Sequence, residues 1–205
     1  MGAPGAGKGT QADILSKRYD IPTISTGNIL RAAVKDGTPL GIEVKTFLDE
    51  GKLVSDQIIL VIIEERLKQD DCAKGYILDG VPRTIHQAES MERDGVGIDL
   101  VLSLEASDEE IEERMTGRRV CLTCGASYHM ANRPPLREGI CDQCGSEVIQ
   151  RTDDTPEKVR NRLSIFHAQT EPLKAFYRER GLLRLVENKP SIEETTRAIV
   201  QLLEA

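Results

Sequence analysis

The chain contains no tryptophan and has few other aromatic residues. Only three phenylalanines and four tyrosines occur among its 205 residues. Proteins that bind single-stranded nucleic acid stack the bases on aromatic side chains. The formal net charge of −7 also has the wrong sign for a surface that binds phosphate backbones. Both features argue against a general nucleic-acid surface, although they leave room for a local basic pocket.

Long apolar segments are missing as well. No stretch approaches the roughly 18 consecutive apolar residues of a membrane-spanning helix, and no charged-then-apolar leader precedes the first motif. We therefore expect a soluble, cytoplasmic protein. A hydrophobic content of 39% in 205 residues is sufficient for one α/β domain, with room for inserts.

The first residues match a phosphate-binding loop. Gly2, Gly7 and Lys8 fit the pattern G-x-x-x-x-G-K. Glycines let the backbone turn tightly, so that successive N–H groups point at phosphate oxygens. Lys8 adds a positive charge, and the following helix presents its positive end to the same anion. The alternative is a flexible, glycine-rich terminus.

Two details depart from the general loop pattern. Ser or Thr normally follows the lysine, whereas here Gly9 follows and Thr10 comes next. Such a loop also follows a strand, and only Met1 precedes Gly2. We therefore expect that the first central strand is absent from this sequence, either because the chain has lost it or because its start is drawn several residues too late.

Short apolar strands alternate with amphipathic helices along the rest of the chain. This alternation predicts an α/β fold with a parallel sheet and right-handed crossovers. The predicted strands lie at about residues 22–25, 76–79, 100–104 and 182–186. After the cysteine-bearing part of the chain, Asp154 is predicted to cap the next helix, with Glu157 closing a capping box.

Four of the five cysteines form two C-x-x-C pairs. Cys121 and Cys124 are separated by sixteen residues from Cys141 and Cys144. This spacing predicts a structural zinc site with four thiolate ligands, which would stabilise a segment that has few large apolar residues. The alternatives are two disulfides or unrelated thiols. A zinc ribbon also leaves a binding module for nucleic acid or protein as an alternative function. Cys72 is expected to be a bystander.

Arginines lie beside glycines and acids near the ends of the predicted elements. Residues 79–83 place an acid and an arginine at the carboxyl end of a parallel strand, where open α/β sheets bind ligands. Residues 117–119 and 151–154 add arginines on both sides of the cysteine-bearing segment. Phosphoryl transfer depends on positioning and positive charge. If the acceptor is itself a phosphate, no general base is required, so the lack of a convincing catalytic histidine is expected.

Several motifs together identify a family. The chain resembles adenylate kinase in its long-lid, zinc-bearing bacterial form. The resemblance spans residues 2–190 and rests on GAPGAGKGTQ, ISTGNILR, GKLVSD, LDGVPRT followed by Gln87, GRRVCLTCG, CDQCGSEVIQRTDD and the final NKP. The Gly9-Thr10 ending of the loop also matches this family.

The resemblance implies a fold and a reaction. The fold is the parallel-sheet P-loop nucleoside monophosphate kinase fold, with one domain over 1–205, an AMP-binding insert at 25–54 and a zinc lid at 118–155. The reaction is ATP + AMP = 2 ADP, with Mg²⁺ accompanying ATP and a structural Zn²⁺ in the lid, in a protein that we expect to be a monomer. The nearest rival is a kinase that takes UMP or CMP as its acceptor. An inactive, N-terminally truncated kinase is the remaining alternative.

The resemblance also assigns residues. The catalytic set is Lys8, Arg83, Arg118, Arg151 and Arg162. The ATP-binding set is Gly5, Ala6, Gly7, Lys8, Gly9, Thr10, Arg114, Arg118 and Lys189. The AMP-binding set is Thr26, Arg31, Lys52, Leu53, Val54, Gly80, Arg83, Gln87, Arg151 and Arg162. Thr10 and Asp79 are associated with Mg²⁺, and Asp153 and Asp154 are expected to order the arginines.

Three positions depart from the family pattern. Asn28 stands where Asp is usual, which removes a charge near the acceptor site. Val81 replaces the usual Phe, which opens space beside that site. The third departure is the first strand, whose absence we expect to be severely destabilising if Met1 is the true start.

Overall fold

A computed structural model describes residues 1–204 of the chain. Helices and strands alternate, as predicted. In chain order they are α1 (Lys8–Tyr19), β1 (Thr23–Ser25), α2 (Thr26–Lys35), α3 (Pro39–Asp49), α4 (Asp56–Leu67), β2 (Ile77–Asp79), α5 (Ile85–Arg93), β3 (Val101–Glu105), α6 (Asp108–Thr116), β4 (Arg118–Cys121), β5 (Ser127–His129), β6 (Val148–Ile149), α7 (Pro156–Ile165), a π-helical turn (Phe166–Thr170), α8 (Leu173–Glu179), β7 (Leu183–Glu187) and α9 (Ile192–Leu203).

The four predicted strands are present as two parallel pairs. Strand β1 pairs with β2, and β3 pairs with β7. Their bounds lie within one residue of the predicted ones at each end. Helices connect the strands of each pair, as parallel strands require. The α/β fold with parallel strands is therefore confirmed.

The first two residues lie alongside β3. The backbone N–H of Leu104 donates to the carbonyl of Met1 at 3.1 Å, and Gly2 forms a parallel bridge with Leu104. Gly2 has a φ of 127°, and a Cβ at this position would lie 2.5 Å from the Leu104 carbonyl oxygen. Only glycine therefore suits this close approach. The absence of a first central strand stays a prediction.

Two apolar cores support the two sides of the fold. The first packs below the P-loop, between helices that include α1, α6, α7 and α9, and its fully buried side chains are Ala6, Ile111, Met115, Val159 and Ile199. The second packs α2, α3, α4 and α5 together, around Ile24, Val44, Ile63 and Met91. The P-loop and the helices α2 to α5 are thus supported by separate sets of side chains.

Side chains cap the N-termini of some helices but not of others. Capping boxes begin α6 at Ser107 and α9 at Ser191. The predicted capping box of α7 is wrong, because its N-cap is Thr155 and no side chain caps it. The Asp154 carboxylate instead accepts hydrogen bonds from arginines, which a fully buried charge requires. Within residues 1–204, none of the helices combines the length and apolar character that a membrane span needs.

The cysteine-bearing segment forms a small sheet of its own. Strand β4 lies in the centre and pairs antiparallel with β5 and β6. The Sγ atoms of Cys121, Cys124, Cys141 and Cys144 all lie within 4.8 Å of one another. The Sγ atoms of Cys121 and Cys144 are 3.4 Å apart, and those of Cys124 and Cys141 are 3.5 Å apart.

The distances between the sulfur atoms distinguish a metal site from disulfide bonds. A disulfide needs its sulfurs about 2.05 Å apart, and the four thiols are free. Tetrahedral Zn²⁺ with Zn–S bonds of about 2.3 Å places its sulfurs roughly 3.8 Å apart. The four cysteines therefore fit a structural Zn²⁺ site.

Removing one cysteine of the cluster should destabilise the chain. The small core of the segment contains only a few buried side chains, so the metal supplies much of its stability. For Cys141→Ala, or after chelation, we expect a loss of about 3 kcal/mol or more, which lowers Tm by roughly 6–12 °C. Thermal unfolding and the bound zinc per chain are measured together.

Cys72→Ala is the matched control, since Cys72 is a buried thiol outside the cluster. It should leave the zinc content unchanged. Equal Tm values with and without metal would show that the four cysteines are not a structural metal site.

Candidate functional site

The P-loop forms a closed turn around its own lysine. Gly7 adopts a left-handed conformation, with φ at 88°, at the N-cap of α1, and no side chain caps this helix. The N–H groups of its first turn are therefore free for an anion. Lys8 Nζ donates to the carbonyl oxygens of Gly2 at 2.8 Å and Ala3 at 2.7 Å. The lysine is thus held at the mouth of the loop.

One residue that contacts the loop was not assigned a role from the sequence. Asn188 follows β7, and its Nδ2 donates to the carbonyl of Ala6 at 3.1 Å. The neighbouring Lys189, which was assigned to the ATP site, is exposed and lies 3.6 Å from Glu187. The position of Asn188 just after a parallel strand is the signal that could have identified it.

Burial changes the titration of Lys8. It lowers the pKa of Lys8 from 10.5 to about 8, while the carboxylate of Asp79 opposes this shift. Three guanidinium groups act in the same direction as burial, namely those of Arg83, Arg162 and Arg118. The charges of all three arginines therefore act on the P-loop lysine.

A single cleft gathers the residues assigned to the acceptor. Its empty volume is about 540 Å³, which includes space open to solvent. All ten residues that the sequence assigns to AMP line it: Thr26, Arg31, Lys52, Leu53, Val54, Gly80, Arg83, Gln87, Arg151 and Arg162. They come from four separate stretches of the chain, which the fold brings together.

Two buried aspartates hold three of the arginines. Arg118 makes two hydrogen bonds to the Asp154 carboxylate, at 2.8 and 2.5 Å. Arg151 makes two hydrogen bonds to the Asp153 carboxylate. Arg162 reaches both acids, at 2.9 Å to Asp153 and 3.2 Å to Asp154. The paired bonds fix the guanidinium planes of Arg118 and Arg151 as well as their positions, whereas Arg162 reaches both acids through its Nη1 alone.

Burial and neighbouring charges shift the pKa values of several groups in and beside this cluster. Burial opposes ionisation of Asp153, but Arg162 and Arg151 outweigh it and hold its pKa well below the usual range. Burial and the neighbouring guanidiniums lower the pKa values of Arg31 and Arg162. The arginines remain charged, so the cleft carries concentrated positive charge.

A second network lies where α4 and α5 meet. Gln87 is buried, its Oε1 accepts from the Arg83 backbone N–H at 2.7 Å, and its Nε2 donates to Asp56 Oδ1 at 2.7 Å. Thr170, in the π-helical turn, donates to the Arg83 carbonyl at 2.8 Å. Asp56 and Thr170 were not assigned from the sequence. They hydrogen-bond to Gln87 and Arg83, which line the cleft, although they do not line it themselves. No local sequence pattern reveals such contacts between distant residues.

Asp79, Thr10 and Arg114, which are also assigned from the sequence, do not line the cleft. Asp79 ends β2 beside the P-loop, and a Cβ on Gly9 would lie 3.6 Å from its Oδ2. Thr10 lies in the first turn of α1. Arg114 lies 3.9 Å from Glu110 on its own helix, and its side chain is about one-third exposed.

The cysteine-bearing segment lies against the helices on the other side of the cleft. Lys35 Nζ donates to Thr123 Oγ1 at 3.1 Å, and Thr152 Oγ1 donates to Asp49 Oδ1 at 3.0 Å. These contacts join residues 118–155 to α2 and α3.

The histidines lie outside the cleft lining. His86 contacts Asp56 at 3.0 Å, and His167 contacts Glu171 at 2.7 Å. His129 Nδ1 accepts from backbone N–H groups, and its Nε2 is buried against the Cα of Gly117. His129 is therefore a packed residue of the small sheet rather than a surface residue.

Comparisons with known proteins agree with this geometry. A family model described as Adenylate kinase matches residues 1–182. An adenylate kinase of Caldicellulosiruptor saccharolyticus is 52% identical over 207 residues, which cover 99% of this chain and 96% of that protein. One of Carboxydothermus hydrogenoformans is 50% identical over 208 residues, covering 100% of this chain and 97% of that protein. One of Clostridium perfringens is 50% identical, covering 99% and 96%.

The lowered pKa of Lys8 leads to a prediction for the free protein. Its titration, followed by NMR of side-chain-labelled lysine, should have a midpoint near pH 8. Sulfate in the loop should raise this midpoint, because an anion favours the charged form. Asp79→Asn should lower it, since Asp79 opposes the shift.

Asp70→Asn serves as the control, because Asp70 lies in a turn before β2 and outside the cleft lining. A Lys8 midpoint that stays near pH 10 in the free protein would contradict the description of a desolvated, arginine-facing lysine.

Proposed function

This chain belongs to the adenylate kinase family, and we propose that its arginine-lined cleft carries out the family reaction, the reversible transfer ATP + AMP = 2 ADP. The assignment of this reaction to the cleft rests on the arrangement of its arginines. Arg31, Arg83, Arg151 and Arg162 line one cavity, and the charges of Arg83, Arg118 and Arg162 act on the P-loop lysine. Two phosphate-bearing substrates can therefore meet end to end between them.

The P-loop is the proposed donor site. The free N–H groups of α1 and the ammonium of Lys8 bind the ATP phosphates, so Lys8 leaves the carbonyls of Gly2 and Ala3 when they arrive. Arg114 and Lys189 border the donor base at the rim of the site. Asn188 holds the loop through Ala6.

The cleft that the ten assigned residues line is the proposed acceptor site. Arg31 and Arg83 hold the AMP phosphate. Thr26, Gln87 and the backbone of residues 52–54 surround the adenine. Arg83 is itself positioned, since its Nε donates to the Gly80 carbonyl at 2.8 Å. The phosphate of AMP therefore meets a guanidinium whose direction is already set.

The transfer step depends on charge. Arg118, Arg151 and Arg162 bind the equatorial oxygens of the transferring group, where negative charge lies in the transition state. Asp153 and Asp154 keep the guanidinium planes aligned before substrates arrive, so little reorganisation accompanies the reaction. The attacking oxygen of AMP is already ionised, so no residue has to remove a proton from it.

A magnesium ion fits the same arrangement. The Asp79 carboxylate lies next to the P-loop, and oxygen ligands of this kind suit Mg²⁺. Mg²⁺ bound with ATP supplies additional neutralisation of phosphate charge. Thr10 and Asp79 are the residues that would hold its ligands.

Two inserts close the cleft in this proposal. Residues 25–54 form the AMP-binding insert, and residues 118–155 form the zinc lid. Contacts between them, such as Lys35 with Thr123, support a closed state that excludes water. Water is the competing acceptor, so closure protects the phosphoryl group from hydrolysis.

The departures from the family pattern leave the phosphate clamp intact. Asn28 Oδ1 accepts from Arg31 at 2.5 Å, so a neutral amide takes the place of an acid beside this arginine. Val81 is buried in the second core, next to the strand that carries Asp79. The change at Val81 therefore alters packing behind the acceptor site rather than charge inside it.

The partners follow from surface chemistry. We infer that the protein works as a cytoplasmic monomer without nucleic acid or membrane. The net charge of −7 disfavours nucleic acid, and free thiolates for a metal suit a reducing compartment. A zinc-ribbon binding module is not favoured, because the small sheet lies against the cleft through Thr123 and Thr152. An inactive truncated kinase is not favoured either.

A coupled assay with several acceptors tests the function. AMP should be phosphorylated far more efficiently than UMP or CMP. Arg83→Ala should lower kcat/KM for AMP by at least about 10²-fold, because one charged group at the phosphate is lost. Circular dichroism should show that the variant remains folded.

Arg93→Ala is the control, since Arg93 ends α5, the helix that follows Arg83, and within residues 1–204 its side chain donates to Ser90 and does not line the cleft. It should retain turnover. Preference for UMP or CMP would contradict the adenylate assignment, and full activity of Arg83→Ala would contradict the assignment of the site.

A further inference from the structure

Asp56 is the centre of a hydrogen-bonded cluster behind the acceptor cavity. It is the first residue of α4, and its side chain is about one-quarter exposed. Its Oδ1 accepts from Gln87 Nε2 at 2.7 Å. Its Oδ2 accepts from Thr84 Oγ1 at 3.0 Å and contacts His86 Nδ1 at 3.0 Å. Asp56 does not line the cavity, so its effect on a ligand must pass through Gln87.

The Gln87 amide has one orientation in this cluster. A carboxylate only accepts hydrogen bonds, and a backbone N–H only donates them. The Gln87 NH₂ group must therefore face Asp56, and its carbonyl must face the Arg83 N–H. A flipped amide would place oxygen against carboxylate and NH₂ against N–H, leaving buried polar groups unpaired.

The Gln87 amide, held in this orientation, can make two further hydrogen bonds. Its carbonyl oxygen has a second lone pair, and its nitrogen has a second hydrogen. Gln87 lines the cavity and is only 2% exposed, so these groups lie in a largely dry site. An acceptor base that offers a donor and an acceptor side by side is complementary to them.

Purine monophosphates differ in this respect. A 6-aminopurine offers an amino donor beside a ring-nitrogen acceptor, and this edge matches the fixed amide. A 6-oxopurine offers an oxygen acceptor beside a ring N–H donor, which is the reverse order. An amide that can flip would accept both edges, whereas a fixed amide accepts one.

We propose that Asp56 is a positioning residue for base specificity, which holds the Gln87 amide so that the cavity selects 6-aminopurine over 6-oxopurine monophosphates. This inference rests on the proposed placement of the acceptor base beside Gln87. Asp56 itself touches no substrate.

The test compares AMP with inosine monophosphate as acceptors. For Asp56→Asn, the ratio of kcat/KM for AMP to that for inosine monophosphate should fall on the order of tenfold, because a flipped Gln87 amide then loses only its pairing with the Arg83 N–H and no longer opposes a carboxylate. The change should appear in KM for both acceptors, while kcat for AMP stays within about twofold, since the phosphate clamp is intact. A purely structural loss would lower both activities alike and leave the ratio unchanged.

Asp108→Asn is the matched control. Asp108 is also the first residue of a helix, α6, and also contacts a histidine, His167, at 3.1 Å. Its substitution removes the same charge and the same kind of contact without touching Gln87. The acceptor ratio should not change in this variant.

The variant Gln87→Ala tests base recognition by Gln87 separately from the positioning role of Asp56. If it abolishes the discrimination while Asp56→Asn leaves it unchanged, the role of Asp56 is refuted and base reading by Gln87 stands. If Gln87→Ala leaves the ratio unchanged, both are refuted. Should Asp56→Asn fail to fold at the assay temperature, Asp56→Ser replaces it, because a hydroxyl can also either donate or accept; an unchanged ratio there refutes the proposal equally.

Discussion

Repulsion between guanidinium groups is the constraint on which this structure depends. Arg151 and Arg162 line one cleft, Asp154 holds Arg118 beside Arg162, and burial lowers the pKa of Arg162. Asp153 and Asp154 carry the compensating charge, and each accepts at least two hydrogen bonds from arginine. The aspartates hold the arginines together before any phosphate is present. The substrates' phosphates then add negative charge to a cluster whose geometry already exists.

The rest of the fold serves to bring these charges to one place. One apolar core supports the P-loop, and a second supports helices α2 to α5. The cysteine-bearing segment carries Arg118 and Arg151 on its two sides, and its own core contains only a few side chains. The four cysteines, which fit Zn²⁺, supply the stability that this core lacks.

Much of this arrangement could be predicted from the sequence, because its signals are local. The strands follow from short apolar runs, the loop from Gly2, Gly7 and Lys8, and the metal site from cysteine spacing. What could not be predicted depends on contacts between distant elements. Asp154 has the local pattern of a helix cap, yet it pairs with Arg118, thirty-six residues earlier. Asp56 reaches Gln87 across two helices, and Asn188 reaches the P-loop from the other end of the chain.

The central claim is that the cleft works by charge and position and uses no general base. The histidines lie outside its lining, and the acceptor oxygen is already ionised. The most direct test is kcat at saturating ATP, Mg²⁺ and AMP as a function of pH. The account predicts a flat profile between about pH 6.5 and 8.5, because bound phosphates keep Lys8 charged and no catalytic group titrates in that range. A bell-shaped profile in this range, with kcat falling tenfold per pH unit on either side, would contradict it.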